Sequence, residues 1–209
     1  MSARIAFAKS WLFESPLNIG FAEHFEAILF DIDDWIDAGF KPISLGGGYF
    51  KIVGETKLYY FHRNLKNEID ISVELEKTPQ NVTVRLLGKD PQYKGKLPYA
   101  SDLYAKILDD NRTIRILSDD QLSEEGFKLW ERLFNMGYFI GIYNRLSLSG
   151  HPWIEITSKE QMKKYFGTSP RQFFKTHQFV AANRKNFVEC RSNFHTQRLY
   201  EKAGYDLSF

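Results

Sequence analysis

The chain has 209 residues and a mass of 24.5 kDa, and its 43% hydrophobic and 26% charged residues are typical of a folded globular protein. This composition excludes wholesale disorder, and the single cysteine, Cys190, excludes an internal disulfide and a four-cysteine zinc site. No apolar run reaches the roughly 20 residues that a membrane span requires, and we recognise no signal peptide. We therefore expect a cytoplasmic protein without a membrane partner.

The net charge of +2 is distributed unevenly along the chain. Residues 151–209 hold ten Lys or Arg against five Asp or Glu, whereas residues 1–150 hold 18 basic against 21 acidic residues. Cations interleaved with aromatic rings can bind nucleic-acid phosphates and bases. One interpretation therefore assigns nucleic-acid binding to four cations of this basic region, namely Lys175, Arg184, Lys185 and Arg191. The alternative is a last subdomain whose charges are simply solvated.

The first half of the chain carries clear periodic patterns. Apolar residues at helical spacing over residues 21–38 predict an amphipathic helix, which Gly39 ends. The segments 49–53 and 58–62 flank a glycine-containing turn and predict a β-hairpin. Residues 69–76 alternate between apolar and polar side chains, which predicts a strand with one buried face and one polar face.

A further strand at 82–87 completes an expected antiparallel meander, and the pattern then changes to helices and strands in alternation. The elements expected next are a helix from residue 98, a strand at 113–117, a helix from residue 123, a strand at 138–143 and a helix at 158–166. A linker at 145–152 divides the chain into an α/β domain at 1–145 and a basic, aromatic-rich C-terminal subdomain at 146–209, which we predict to be a helical extension.

A short motif lies between the strand at 82–87 and the helix from residue 98. It reads Gln92-Tyr93-Lys94-Gly95-Lys96-Leu97. At Gln92 and Gly95 it resembles the Gln/Arg-x-x-Gly-x-Gly/Ala motif of the GNAT superfamily of acyl-CoA-dependent acyltransferases. The order of elements over residues 1–145 is similar to that of the same family. The resemblance implies an α+β fold with a mixed, mainly antiparallel sheet flanked by helices.

The resemblance also implies a cofactor site at this motif. The amides at a helix N-terminus are unpaired and favour a pyrophosphate, and glycine lets the backbone approach it closely. Gln92, Lys94, Gly95 and Lys96 are then expected to bind acetyl-CoA or another acyl-CoA. Leu97 stands where the family has a very small residue, so we expect its side chain to obstruct that approach.

Acyl transfer to an amine also requires a base whose pKa suits the operating pH. Glu74 and Glu76, on the polar face of the strand at 69–76, are the candidates for this base. Many members of the family use a tyrosine to protonate the leaving thiolate. Because a tryptophan stands at that position here, we assign the role to Tyr104, with Tyr138 and Tyr200 as alternatives. Both glutamates also fit a purely structural, outward-facing role.

Two functions follow from these observations. The first is transfer of an acyl group from acyl-CoA to an amine, which includes a degenerate descendant that keeps only the shape. The second is a non-catalytic binding or assembly protein that engages a protein or nucleic-acid partner through residues 146–209. The five histidines lack zinc-site spacing, so we expect no metal. The sequence leaves the acceptor and the oligomeric state open, and its divergent motifs suggest a phage origin.

Overall fold

The computed structural model describes residues 21–77, 81–111, 114–118, 124–144, 153–167 and 177–184. Their four α-helices are α1 (Phe21–Asp37), α2 (Ala100–Asp110), α3 (Glu124–Asn135) and α4 (Lys159–Gly167), and a 3-10 helix covers Pro91–Tyr93. Their nine strands are β1 (Ile43–Gly46), β2 (Tyr49–Val53), β3 (Lys57–Arg63), β4 (Ile69–Lys77), β5 (Val82–Lys89), β6 (Arg115–Leu117), β7 (Phe139–Asn144), β8 (Trp153–Glu155) and β9 (His177–Ala182).

The nine described strands follow one hydrogen-bonded order, β1-β2-β3-β4-β5-β6-β9-β7-β8. β5 and β6 are parallel and pair Val82 with Ile116 and Thr83 with Leu117. The pairs β1–β2, β2–β3, β3–β4, β6–β9, β7–β8 and β7–β9 are antiparallel. A parallel pair requires a crossover connection, which α2 supplies between β5 and β6. The predicted α+β class, with a mixed and mainly antiparallel sheet flanked by helices, is confirmed.

Two compact units divide the described residues. The first contains the described residues up to Glu76 together with Val84–Leu103, and the second contains Lys77–Thr83 and the described residues from Tyr104 onward. The predicted domain boundary at residue 145 stays a prediction. Of the region 146–209 that was predicted to be a helical extension, residues 153–167 and 177–184 are described, and they contain the strands β8 and β9 as well as the helix α4. The rest of that region lies outside the described residues. No helix of the described part is long and apolar enough to cross a membrane.

In the first unit, α1 packs its apolar stripe on the strands beside it. Ile28 and Ile32 of α1 form a buried cluster with Ile52, Tyr59 and Phe61. The helix predicted from the spacing of these residues is confirmed. Burial of such large side chains stabilises the contact by about 1.5–3 kcal/mol for each one.

The predicted polar face of β4 is buried except at its end, where Glu76 is exposed, so the expectation was wrong for the rest of the face. Asp70, Ser72 and Glu74 are as fully buried as the apolar residues between them. The reason lies in the pairing with β3, where Tyr59 faces Glu74 and Phe61 faces Ser72. Both aromatic residues pack against α1, so the helix covers the polar residues of this face as well. The alternation in the sequence therefore marks two buried faces.

In the second unit, β9 lies between β6 and β7. Its register pairs Ala181 with both Ile116 and Ile140. The buried rings of Trp130 and Phe179 lie 5.8 Å apart between centroids, which joins α3 to β9. Residues 177–182 form the strand β9 of the sheet.

Candidate functional site

The motif singled out in the sequence forms a connection between the end of β5 and the start of α2. Asp90 begins it by accepting a 2.8 Å hydrogen bond from the amide of Gln92 on its side chain. A 3-10 turn follows, and the chain then reverses at Gly95, whose φ of +76° lies in the left-handed region. We call residues 90–99 the β5–α2 loop.

Side chains of two residues outside the β5–α2 loop, Lys89 and Asn64, fix the loop to the rest of its unit. The ammonium of Lys89 donates to the carbonyl of Lys96 and, at 2.7 Å, to that of Pro98. The side-chain amide of Asn64 donates to the hydroxyl of Tyr93 at 2.8 Å. These contacts hold both ends of the loop, so its conformation is defined by β5 and by the turn after β3.

The structure brings the four predicted cofactor-binding residues together at the surface of this loop. Gln92, Lys94, Gly95 and Lys96 are all exposed, and a side chain added at Gly95 would meet no atom within 4 Å. Leu97 is 69% exposed, so its side chain does not fill the interior of the loop. The residue that was expected to obstruct the approach therefore projects into solvent.

The loop uses most of its own amides, which the motif alone did not predict. The amides of Tyr93, Lys94 and Lys96 donate to carbonyls of the loop itself. The amide of Tyr99 donates at 2.7 Å to the carboxylate of Asp102 in the first turn of α2. This carboxylate stabilises the helix N-terminus but repels a second anion there. A phosphate would therefore be held mainly by lysine side chains, with fewer backbone donors than the motif implies.

The predicted base Glu74 lies in an ion pair beneath α1. Its carboxylate is 6% exposed and lies 2.8 Å from the ammonium of Lys57, which is also 3.7 Å from the carboxylate of Asp31. Burial lowers the pKa of Lys57, but the hydrogen bond and charge of Glu74 and the charge of Asp31 outweigh it and raise that pKa. The catalytic role of Glu74 stays a prediction, with its carboxylate engaged in this ion pair.

The other two predicted catalytic residues make contacts of their own. Glu76 is exposed, and its carboxylate is 3.5 Å from the guanidinium of Arg85. Tyr104 belongs to the second unit, where it is 3% exposed and packs edge-on against Trp130. Their catalytic roles stay predictions.

Sequence reasoning missed a histidine–aspartate pair in the first unit. Nδ1 of His62 lies 2.8 Å from Oδ1 of Asp70, whose side chain is 2% exposed. The ring of Tyr49 packs edge-on against the imidazole at 4.8 Å between centroids. Burial, followed by the charges of Asp102 and Asp70, raises the pKa of Tyr49 to about 12. The only signal in the sequence is a histidine near the end of one strand and an aspartate near the start of the next.

Of the four residues predicted to bind nucleic acid, the structure describes one. Lys175, Lys185 and Arg191 lie outside the described residues. Arg184 is exposed, with its guanidinium 3.3 Å from the carboxylate of Glu155 and donating to the carbonyl of Gly137 at 3.4 Å. A nucleic-acid or protein partner therefore stays a prediction. Among the residues from 21 to 184 that the structure describes, no group of three or more His, Cys, Asp or Glu is arranged to hold a metal.

Comparison with known proteins gives matches among solved structures alone. No family model matches the chain, and no curated protein matches it. The spermidine/spermine N-acetyltransferase SpeG from Vibrio cholerae is similar over 88% of this chain and 91% of its own, at 10% identity and a TM-score of 0.39. A putative acetyltransferase of the GNAT family from Bacteroides thetaiotaomicron covers 92% of this chain and 90% of its own, at 10% identity and a TM-score of 0.35.

A third similar structure is a putative acyl-CoA N-acyltransferase from Klebsiella pneumoniae, which covers 76% of this chain and 88% of its own at 12% identity and a TM-score of 0.34. Of these three structures, the one from Bacteroides thetaiotaomicron is itself named as a member of the GNAT family. The TM-scores of all three structures are below 0.5, so the chemistry of the site rests on the residues of this chain alone.

Proposed function

We propose that the protein is an N-acyltransferase that takes an acyl group from acyl-CoA and transfers it to an amine. The observation that carries the proposal is a loop between a strand and a helix N-terminus in which the space beside Gly95 is open and the neighbouring Lys94 and Lys96 are exposed. The motif resemblance supports the same assignment.

The residues present fit the diphosphate of coenzyme A in charge. Two ammonium groups on Lys94 and Lys96 bind phosphate oxygens through charge-assisted hydrogen bonds. Among the described residues, none accepts a hydrogen bond from the backbone amides of Gly95 and Leu97, so both amides can donate to the same anion. The carboxylate of Asp102 opposes binding, and the two lysines offset it.

The thioester of acyl-CoA supplies an activated acyl group for attack by the amine. The chain itself must then position the thioester, hold the acceptor beside it and provide a group that takes the proton from the attacking nitrogen. The β5–α2 loop contributes the first of these tasks by fixing the phosphate end of the molecule. Lys89 contributes indirectly, because it holds the carbonyls at the C-terminal end of the loop.

The proposal is tested by measuring transfer directly. The purified chain is incubated with acetyl-CoA and a set of primary amines (spermidine, lysine and a peptide with a free N-terminus), and both free thiol and acetylated amine are quantified. We expect saturable thiol release matched by product. The variant Lys94→Ala/Lys96→Ala should raise KM for acetyl-CoA by about tenfold or more, with kcat changed by less than about threefold.

A matched control removes two exposed lysines elsewhere. Lys159→Ala/Lys163→Ala changes the net charge by the same amount on α4 and should leave KM unchanged. If KM were equal in both double variants, the loop would not be the phosphate site. If acetyl-CoA bound without any transfer, the chain would be the degenerate descendant that keeps only the shape.

A further inference from the structure

The His62–Asp70 pair has the geometry of a general base and its orienting carboxylate. A carboxylate can only accept a hydrogen bond, so the 2.8 Å contact with Oδ1 of Asp70 places the proton on Nδ1 of His62. The lone pair of the imidazole is then on Nε2. Asp70 is fully buried, whereas the side chain of His62 keeps 17% of its surface exposed. The base is therefore reachable from solvent and its orienting partner is not.

The strand register explains why these two side chains meet. β3 and β4 pair His62 with Ile71 and then Arg63 with Ile69, which leaves Asp70 as an extra residue at an irregularity of the ladder. A bulge of this kind re-aims a side chain, and bulges are frequent beside active sites. The turn that joins the two strands is fixed by Asn64, whose side-chain oxygen accepts from the amides of Lys66 and Glu68.

A glycine packs closely against the imidazole. Gly48 has a φ of +81°, and a side-chain carbon there would lie 2.6 Å from Nε2 of His62 and 2.7 Å from the carbonyl oxygen of Arg63. Only glycine therefore lets the backbone at position 48 approach the ring without displacing it. Tyr49, the next residue, faces His62 in the β2–β3 register and packs its ring against the imidazole.

The pair is also close to the β5–α2 loop. The carbonyl of Asp70 accepts a 3.0 Å hydrogen bond from the amide of Asp90, the first residue of that loop. Asp102, which holds the first turn of α2, acts on the same Tyr49 that packs against His62. Asp70 from β4 and Tyr49 from β2 are titratable groups in contact with His62, and Asp102 from α2 acts on Tyr49.

We propose that Nε2 of His62 is the general base of the transfer and that Asp70 is its positioning residue. This inference rests on the proposed function. The amine nitrogen attacks the thioester carbon, the C–N bond forms, and Nε2 takes the proton that the nitrogen loses. The C–S bond then breaks with its electron pair on sulfur, and the imidazolium returns the proton to the thiolate. The products are an amide and free coenzyme A, so atoms, charge and electrons balance.

The first test is made on the folded wild-type chain by long-range ¹H–¹⁵N NMR of its histidines. We expect the neutral form of His62 to carry its proton on Nδ1, and Asp70→Asn to reduce the population of that tautomer. This readout requires neither acetyl-CoA nor an acceptor. A neutral His62 with its proton on Nε2 would overturn the proposal, because no lone pair would then face the substrate.

The second test measures transfer to the same amines. His62→Gln should lower kcat by about 100-fold or more while KM for acetyl-CoA changes by less than about threefold. Asp70→Asn should lower kcat less strongly and alter the pH profile, which a merely structural residue would not do. His24→Gln, a substitution of a half-buried histidine on α1, is the matched control and should keep kcat. Urea denaturation of each variant confirms that it is folded.

The outcomes separate the two proposals. An active wild-type chain with an equally active, folded His62→Gln variant overturns the base and leaves the acyltransferase proposal standing. A wild-type chain that releases no thiol with any of the amines overturns the acyltransferase proposal, and the base falls with it. A loss of kcat in His62→Gln with normal acetyl-CoA binding supports both.

Discussion

The ammonium of Lys57 lies 2.8 Å from the carboxylate of Glu74 and 3.7 Å from that of Asp31, so a single side chain joins β3, β4 and α1. The hydroxyl of Tyr59 donates to the same carboxylate of Asp31 at 3.0 Å. Burial and these two carboxylates raise the pKa of Tyr59 well above its usual value. The four groups form a structural network under the helix, in which Glu74 links β4 to β3.

Removing the cation of this network should destabilise the protein. Lys57→Met leaves the carboxylate of Glu74 buried without its partner, and we expect the free energy of unfolding to fall by about 1–3 kcal/mol because Lys57 itself is partly exposed. Urea denaturation measures the change. Lys66→Met, at an exposed turn, is the control and should stay within about 0.5 kcal/mol of wild type. Equal stability of the two variants would contradict the network.

The raised pKa of Tyr49 predicts a loss of stability in alkali. Its phenol has a pKa of about 12 in the folded chain against an ordinary value of 10.0, so its contribution to the free energy of unfolding is complete below pH 10 and is lost as the pH rises through 12. We expect the stability difference between wild type and Tyr49→Phe to narrow over that interval in urea titrations. In a pH titration followed by near-ultraviolet absorbance, the wild-type chain should show one more phenol with a raised pKa than the Tyr49→Phe variant does. A phenol at position 49 that ionises at its usual pH would contradict this.

The exposure of Leu97 predicts that its side chain is dispensable. Leu97→Ala should change the free energy of unfolding by less than about 0.5 kcal/mol, since an exposed side chain makes few contacts. The Kd for acetyl-CoA should change by less than about threefold, which corresponds to under 1 kcal/mol. Calorimetric titration measures it. Binding that became more than about tenfold tighter would show that the leucine obstructs the loop after all.

The contact between α1 and β5 predicts a strict requirement for glycine. A side-chain carbon at Gly88 would lie 2.3 Å from the Cα atom of Phe25, and backbone atoms at that distance must move. Gly88→Ala should therefore lower the free energy of unfolding by about 1–3 kcal/mol, as overpacking does. Arg85→Ala, an exposed position on the same strand, should cost far less. A Gly88→Ala variant as stable as Arg85→Ala would place α1 farther from β5 than we describe.

Local patterns in the sequence predicted the helix at 21–37, the strands from 49 to 89 and the position of the β5–α2 loop, because each depends on periodicity or on turn residues within a few positions. The burial of both β4 faces could not be predicted, since it depends on α1 covering Glu74 from a distant part of the chain. The position of β9 between β6 and β7 likewise depends on long-range pairing.

The candidate site was predictable only in part, for the same reason. Spacing alone located Gln92 and Gly95, but it could not show that the neighbouring amides bond within the loop. His62 and Asp70 meet through a register irregularity between two strands, and no pattern of residue types encodes that irregularity. Such sites emerge only when the pairing of the strands is known.

The proposed acyltransferase activity requires that the β5–α2 loop binds acyl-CoA. Calorimetric titration of the purified chain with acetyl-CoA should give saturable, enthalpic binding that weakens with salt and is reduced by about tenfold or more in Lys94→Ala/Lys96→Ala. Lys159→Ala/Lys163→Ala should bind like wild type. A folded protein that shows no heat of binding at millimolar acetyl-CoA would contradict the proposed acyltransferase function.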